Sequence, residues 1–230
     1  MRECNPLPLP RRRALFAGLA AASLIPIATT AHAQNKIGPD EALNRIMEGH
    51  ARYRQGRAGP GDYAQSRAGR ALGQAPIAAI LSCADSRVPP ELLFDQGPGG
   101  LFVVRVAGNV ENAEGMASLE YGTHFLGIPL ILVLDHSGCG AVDAAIKVHR
   151  EKITLPGHLP GLINRILPSV VAADAAKPAD LLAAATIENV RTTVTAISTT
   201  EPLLAEQVRS GRTRVVGGVY DLPTGKVSMI

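Results

Sequence analysis

Three short, nearly continuous apolar runs constrain this chain more than any other feature: Pro76 to Ser82, Leu101 to Val106 and Pro129 to Leu134. Runs of this length without polar alternation suit strands buried on both faces. Between them the spacing turns helical. Pro89 to Phe94 places proline where a first helical turn accepts it, and Met116, Leu119 and Leu126 share one face before Gly127 and Pro129 stop that helix. Strands alternating with helices imply a parallel sheet.

The flanks extend the pattern. Pro39 to Arg54 reads as a helix, followed by a Gly/Arg-rich connector from Gln55 to Gln74. After Cys139 the chain reads as helix through Arg150, then as a Pro/Gly-punctuated segment to Pro168, then as one long helical region from Asp180 to about Arg209. Two closing strands, Thr213 to Val219 and Lys226 to Ile230, are separated by the turn residues Asp221 to Gly225. No internal repeat or sharp composition shift divides these elements. We therefore expect a single α/β domain with a mainly parallel sheet of four to five strands flanked by helices.

The first 33 residues stand apart. Arg11, Arg12 and Arg13 precede an uncharged Ala/Leu-rich run from Ala14 to Ile27, and Ala31-His32-Ala33 reads as a small-residue cleavage site. Arg12 to Phe16 resembles the twin-arginine pattern of proteins exported already folded. The expected organisation is an export signal at 1–33 and the working domain at 34–230, with a periplasmic location. An uncleaved membrane anchor is the alternative, against which Pro26 and the alanine-heavy hydropathy argue. No second long apolar run follows, so no membrane association is expected after cleavage.

Charge follows from the same division. The whole chain has 23 Lys plus Arg against 20 Asp plus Glu, but residues 1–33 hold four of the arginines and one acid, leaving 19 of each sign. A neutral domain with 3% aromatic residues and no Lys/Arg run has no footprint for nucleic acid. Cys4 also lies in the signal, which leaves Cys83 and Cys139. On count alone, two cysteines in an oxidising compartment read as a structural disulfide; their neighbours suggest another use.

Cys83-Ala84-Asp85-Ser86-Arg87 follows the first apolar run, and His136-Ser137-Gly138-Cys139-Gly140 follows the third. Ligands of open parallel sheets collect outside the carboxyl ends of strands, where connections diverge. If those two strands are neighbours, two thiols and an imidazole separated by 53 residues meet there. Cys₂His is a ligand set for catalytic zinc with a fourth position open to water or a carboxylate. Cys139 falls where a helix begins, and the backbone N–H groups there favour the thiolate that binds metal. Taken singly, each residue has a plainer role: a hydrogen-bonded structural histidine, a surface ion pair between Asp85 and Arg87, a glycine turn.

Together these segments resemble the β-class carbonic anhydrases. Cys83 to Arg87 matches that family's C-x-D-S-R phrase, and His136 to Gly140 its H-x-x-C-G. Phe94 to Gly97, Leu101 to Asn109, Ser118 to Gly122 and Tyr220 to Val227 are further family phrases, so the resemblance covers nearly all of 34–230. It implies one Zn²⁺ per subunit on Cys83, His136 and Cys139, and an Asp–Arg dyad on Asp85 and Arg87. It also implies a closed form in which Asp85 becomes the fourth metal ligand. The implied reaction is reversible hydration of carbon dioxide to bicarbonate and a proton by a zinc-bound hydroxide, aimed by Asp85 while Arg87 holds that carboxylate off the metal. Two thiolates cancel the zinc charge, so this hydroxide should form best at alkaline pH.

The resemblance further implies a homodimer or homotetramer with N-terminal helices packed on the partner, which would leave Leu43, Ile46 and Met47 uncovered in a monomer. Three departures stand out. Asp135 occupies the place where the family usually has glycine, either orienting His136 or facing solvent; Gly100 and His50 differ from the usual acidic residue and asparagine. Two other functions remain open on sequence: the same zinc fold acting on carbonyl sulfide or carbon disulfide, and a non-catalytic zinc or thiol module.

Overall fold

The computed structural model describes residues 36–230 apart from 60 and 62; the export signal read in residues 1–33 lies outside the described residues. Five strands form one sheet: β1 (Ala78–Ser82), β2 (Leu101–Arg105), β3 (Leu130–His136), β4 (Arg214–Asp221) and β5 (Lys226–Met229). Their order is β2-β1-β3-β4-β5, parallel throughout except for the antiparallel β4–β5 pair. From β1 the chain goes to β2 on one side, while β3 lies on the other. The carboxyl ends of β1 and β3 therefore flank the point at which connections diverge, where parallel sheets bind ligands.

Helices cover both faces, which is why β3 is buried along its whole length. Helix α1 (Pro39–Arg54) covers one face, with Ala42 and Ile46 packed among Ile80, Leu132 and Leu134. The opposite face packs Leu119 of α4 (Ala113–Phe125) and Val190 and Ile197 of α7 (Leu181–Thr199) on Leu81, Ile131 and Val133. Helices α5 (Gly140–Glu151) and α6 (Leu159–Ala175) build a third cluster around Val142, Ile166 and Val170. The single-turn helices α2 (Arg67–Arg70) and α3 (Pro90–Leu93) and the short α8 (Leu203–Arg209) complete the α-helices among the described residues. No helix among the described residues is long and apolar enough to cross a membrane.

Three expectations are corrected. Ile46 is fully buried against the chain's own sheet, and Leu43 and Met47 pack beside it, so α1 has no uncovered stripe requiring a partner. The Pro/Gly-punctuated segment is helical from Leu159. Pro160 sits in the first turn, where no N–H is needed, and Pro168 lies inside the helix; its penalty of about 3 kcal/mol is outweighed by burial of Ile163, Ile166 and Val170. Finally, the region 180–209 is two helices, because Pro202 cannot continue α7.

Buried His50 of α1 ties three elements together. It faces the Leu93 carbonyl through Nδ1 at 3.0 Å and the Val227 N–H through Nε2 at 2.9 Å. A carbonyl only accepts and an N–H only donates, so Nδ1 holds the proton and the ring is neutral. Burial, aided by the Arg54 charge, holds its pKa below the ordinary value despite the opposing Leu93 bond. Above pH ~6.5 the ring is neutral folded or unfolded; below it the unfolded chain takes up a proton that the folded chain resists, so stability falls. His50→Ala should cost about 2 kcal/mol, or about 4–8 °C in Tm, and flatten the decline between pH 7 and 5. Thermal melts across that range check both.

Candidate metal centre

Strand β1 ends at Ser82, so Cys83 is the first residue beyond the sheet, tethered by its N–H to the Leu134 carbonyl of β3 at 3.2 Å. His136 is the last residue of β3, two positions further along that strand than its apolar run extends. Cys139 is the N-cap of α5. The turn between them needs Gly138, whose φ of +68° is left-handed. Ser137 anchors the turn: its N–H donates to Tyr220 O at 2.8 Å and its Oγ accepts from Leu222 N–H at 2.9 Å.

The three side chains converge. Cys83 Sγ and Cys139 Sγ are 4.0 Å apart, and both thiols are free and buried. A disulfide requires about 2.05 Å; two Zn–S bonds of about 2.3 Å at a tetrahedral angle place their sulfurs about 3.8 Å apart. His136 Nδ1 faces the Ser137 carbonyl at 3.1 Å and so holds the proton, which leaves Nε2 with a lone pair. That Nε2 is buried and has no hydrogen-bond partner among the described residues. An orphaned imidazole nitrogen facing two thiols is a set that zinc satisfies.

Charge is arranged accordingly. A hydrogen bond shared between the two thiols, with the adjoining His136 ring and the Gly108 N–H at 3.3 Å, pulls the Cys83 pKa down against burial. The same bond, burial and the Asp135 charge push Cys139 up. Burial opposes charge on His136, but the adjoining Cys83 raises its pKa on balance. Gly108, in the 3₁₀ turn Ala107–Asn109, has a φ of +68°, and a Cβ there would lie 2.7 Å from Ile166 Cδ1; only glycine brings this N–H to the sulfur.

Asp85 stands at the rim. Arg87 grips it from both ends, Nε to Oδ1 at 2.9 Å and Nη2 to Oδ2 at 2.7 Å, and the Arg87 N–H adds a third bond at 2.9 Å. These bonds hold the carboxyl well below the usual carboxylate range. Its Oδ2 is 3.6 Å from His136 Nε2. Among the described residues, the group whose potential ligand atoms lie within 4.8 Å of one another is Cys83, Asp135, His136 and Cys139. Asp85 is thus paired with arginine and lies outside that group.

Three participants were not identified from sequence. Arg105, at the end of β2, clamps the loop by donating to Cys83 O at 3.2 Å and Asp85 O at 2.6 Å; its only signal was a charge at the end of an apolar run. Asn109 and Asn189 lie behind the ligands with Asp135. Asp135 does not face solvent: it is fully buried, its Oδ1 accepts the His136 N–H at 2.9 Å, and burial pushes its pKa up to about 6.

The family profile described as Carbonic anhydrase matches residues 78–227. Across the fold, the chain superposes on the β-carbonic anhydrase of Coccomyxa, solved in complex with acetazolamide, with a TM-score of 0.65 and 29% identity over 82% of this chain and 86% of that one. The chain belongs to the β-class carbonic anhydrases. Carbonic anhydrase 2 of Mycobacterium tuberculosis is 36% identical over 191 residues, covering 82% of this chain and 91% of its own. The carbonic anhydrase of Mycolicibacterium smegmatis is 34% identical over 194 residues, covering 83% and 93%. Membership makes the protein a carbonate dehydratase, a lyase whose reaction is carbon dioxide hydration. The family's members are zinc enzymes, and the buried Cys83–His136–Cys139 group has the donors for that metal.

Proposed function

We propose that one Zn²⁺ per subunit is held by Cys83, His136 and Cys139, and that the Asp85–Arg87 dyad directs the attack of water-derived oxygen on carbon dioxide. The observation that carries this reading is the unpartnered His136 Nε2 facing two buried thiols 4.0 Å apart. Zinc bound there supplies a Lewis acid that lowers the pKa of the attacking water. The chain does the rest. Asp85, kept ionised by Arg87, is an acceptor only. It takes one hydrogen bond from the nucleophile, so that a lone pair faces the carbon. Arg87 uses both ends of its guanidinium to hold Asp85, while Arg105 fixes the Cys83–Asp85 loop from below. Carbon dioxide and water give bicarbonate and a proton, which leaves at the rim, where the Arg87 side chain is 60% exposed.

We place the enzyme in the periplasm, exported through residues 1–33 by the twin-arginine route, on the strength of the Arg12-Arg13 pattern and the Ala31-His32-Ala33 site. We also propose a homodimer or homotetramer. Support comes from the open edge of β2 beside partly exposed Tyr121 and Phe125, and from relatives of the same fold described as tetrameric. The mature protein, purified without chelators, should contain about one zinc per subunit and accelerate carbon dioxide hydration in a stopped-flow indicator assay. Zinc-loaded protein without hydration activity would reject the reaction, and active protein without zinc would reject the metal.

A further inference from the structure

Behind the ligands lies a closed polar layer drawn from three elements: Asn109 from the 3₁₀ turn, Asp135 from β3 and Asn189 from α7. All three side chains are buried, none more than 1% exposed. Asn189 Nδ2 donates to the Gly108 carbonyl at 2.8 Å and lies 3.5 Å from Asp135 Oδ2. Asn109, with its amide turned so that both ends are satisfied, donates to Asp135 Oδ2 at 2.8 Å. Asp135 Oδ1 accepts the His136 N–H.

Each of these bonds ends on, or next to, a group at the metal site. Asn189 holds Gly108 by its carbonyl, and the Gly108 N–H points at Cys83 Sγ. Asp135 holds the main chain of His136 and, through Asn109, the far side of the same turn. The turn is itself strained, since Asn109 follows Gly108 into the left-handed region with φ +43°. Such conformations persist when surrounding bonds overdetermine them. Packing alone gives no reason for a buried carboxylate here; an apolar residue would fill the space without desolvating a charge. Both Asp135 oxygens are already engaged by N–H donors, so the carboxylate is spoken for as an acceptor within the layer although it lies close to the ligand atoms.

We propose that Asp135 is a positioning residue of the metal centre: with Asn109 and Asn189 it fixes the Gly108 N–H on Cys83 and the backbone of His136, so that the three ligands are set before the metal arrives. The inference rests on the zinc reading given above, and its consequence is affinity for the metal. Partners that orient ligands typically change metal affinity by 10- to 100-fold.

The test uses the mature protein and its Asp135→Ala, Asp135→Asn and Asn189→Ala variants. Zinc affinity is read by competition with a chelating dye, and Co²⁺ substituted at the site reports ligand geometry through its thiolate charge-transfer bands. Asp135→Ala and Asn189→Ala should each bind zinc about 10- to 100-fold more weakly. Asp135→Asn, which keeps the shape and the acceptor for the His136 N–H but turns an amide N–H toward the Asn109 and Asn189 donors, should recover only part of that loss. The pair of alanine changes together should be little worse than the more severe single change, because the residues act as one unit. If Asp135→Ala does not fold, Asn189→Ala carries the same expectation through the Gly108 carbonyl. Variants within about twofold of a parent that binds zinc normally, with unchanged cobalt bands, would overturn the proposal alone. Asp135→Asn shifting the cobalt ligand-field bands while the thiolate bands persist would also overturn it, by making the carboxylate a ligand. A parent that binds no zinc would remove the reading on which it rests.

Discussion

Cys139→Ser should abolish stoichiometric zinc and, with it, carbon dioxide hydration. Cys139 is fully buried at the N-cap of α5, with Cys83 Sγ 4.0 Å away and the orphaned His136 Nε2 beside it. A thiolate is a strong zinc ligand, whereas a serine hydroxyl keeps its proton at neutral pH and leaves the metal with two protein donors. Zinc content after dialysis should fall below about 0.1 per subunit, and kcat/KM by at least about 10³-fold. Cys83→Ser should match it, because neither sulfur can be replaced by the other. Elemental analysis with a stopped-flow assay checks both, and circular dichroism confirms that the fold is retained. Full zinc retention in both variants would defeat the ligand assignment.

The dyad gives the second large effect, and its two members should fail differently. Arg87→Ala removes the two guanidinium bonds and their charge, leaving only the backbone N–H of position 87 to hold a carboxylate whose Oδ2 already lies 3.6 Å from His136 Nε2. That carboxylate is then free to occupy the fourth metal position, and hydration should fall by more than about 10²-fold with zinc still bound. Asp85→Ala opens the metal to water but removes the acceptor that aims the nucleophile. Hydration should fall by about 10- to 100-fold, and zinc should again be retained. An ordinary surface ion pair contributes under about 1 kcal/mol and would leave both variants within about fivefold of the parent. Near-parental rates for both would remove the dyad from the mechanism without touching the metal assignment.

Most of this site was legible because its parts are local in sequence. Cys83 directly follows one apolar run and His136 lies two positions past another, and continuous runs are a strong signal of parallel strands, so their placement at adjacent strand ends followed once β1 and β3 were taken as neighbours. The parts that sequence left open depend on contacts between distant segments. Asp135 alternates with His136 along β3, but whether its side of the strand is covered depends on Asn189, 54 residues further on. The apolar positions of α1 suit a partner's surface or the chain's own sheet equally well; the packing of Ile46 among Ile80 and Leu132 decides it. Pro168 looked like an interruption because propensity is local, while the helix that contains it is stabilised by burial against α5 and α7. His50 offers no periodicity that points to Val227, 177 residues away, yet it locks α1 to the end of the sheet.

The central claim is that Cys83, His136 and Cys139 together bind zinc, and X-ray absorption at the zinc edge of the purified mature protein tests it most directly. The expected spectrum fits four ligands: two sulfurs at about 2.3 Å, one imidazole nitrogen at about 2.0 Å and one further oxygen or nitrogen. Loss of one sulfur from the shell in Cys139→Ser, reconstituted at high zinc, would complete the assignment. A shell of nitrogen and oxygen alone in the parent, or zinc bound while Cys83 and Cys139 are joined as a disulfide, would contradict it.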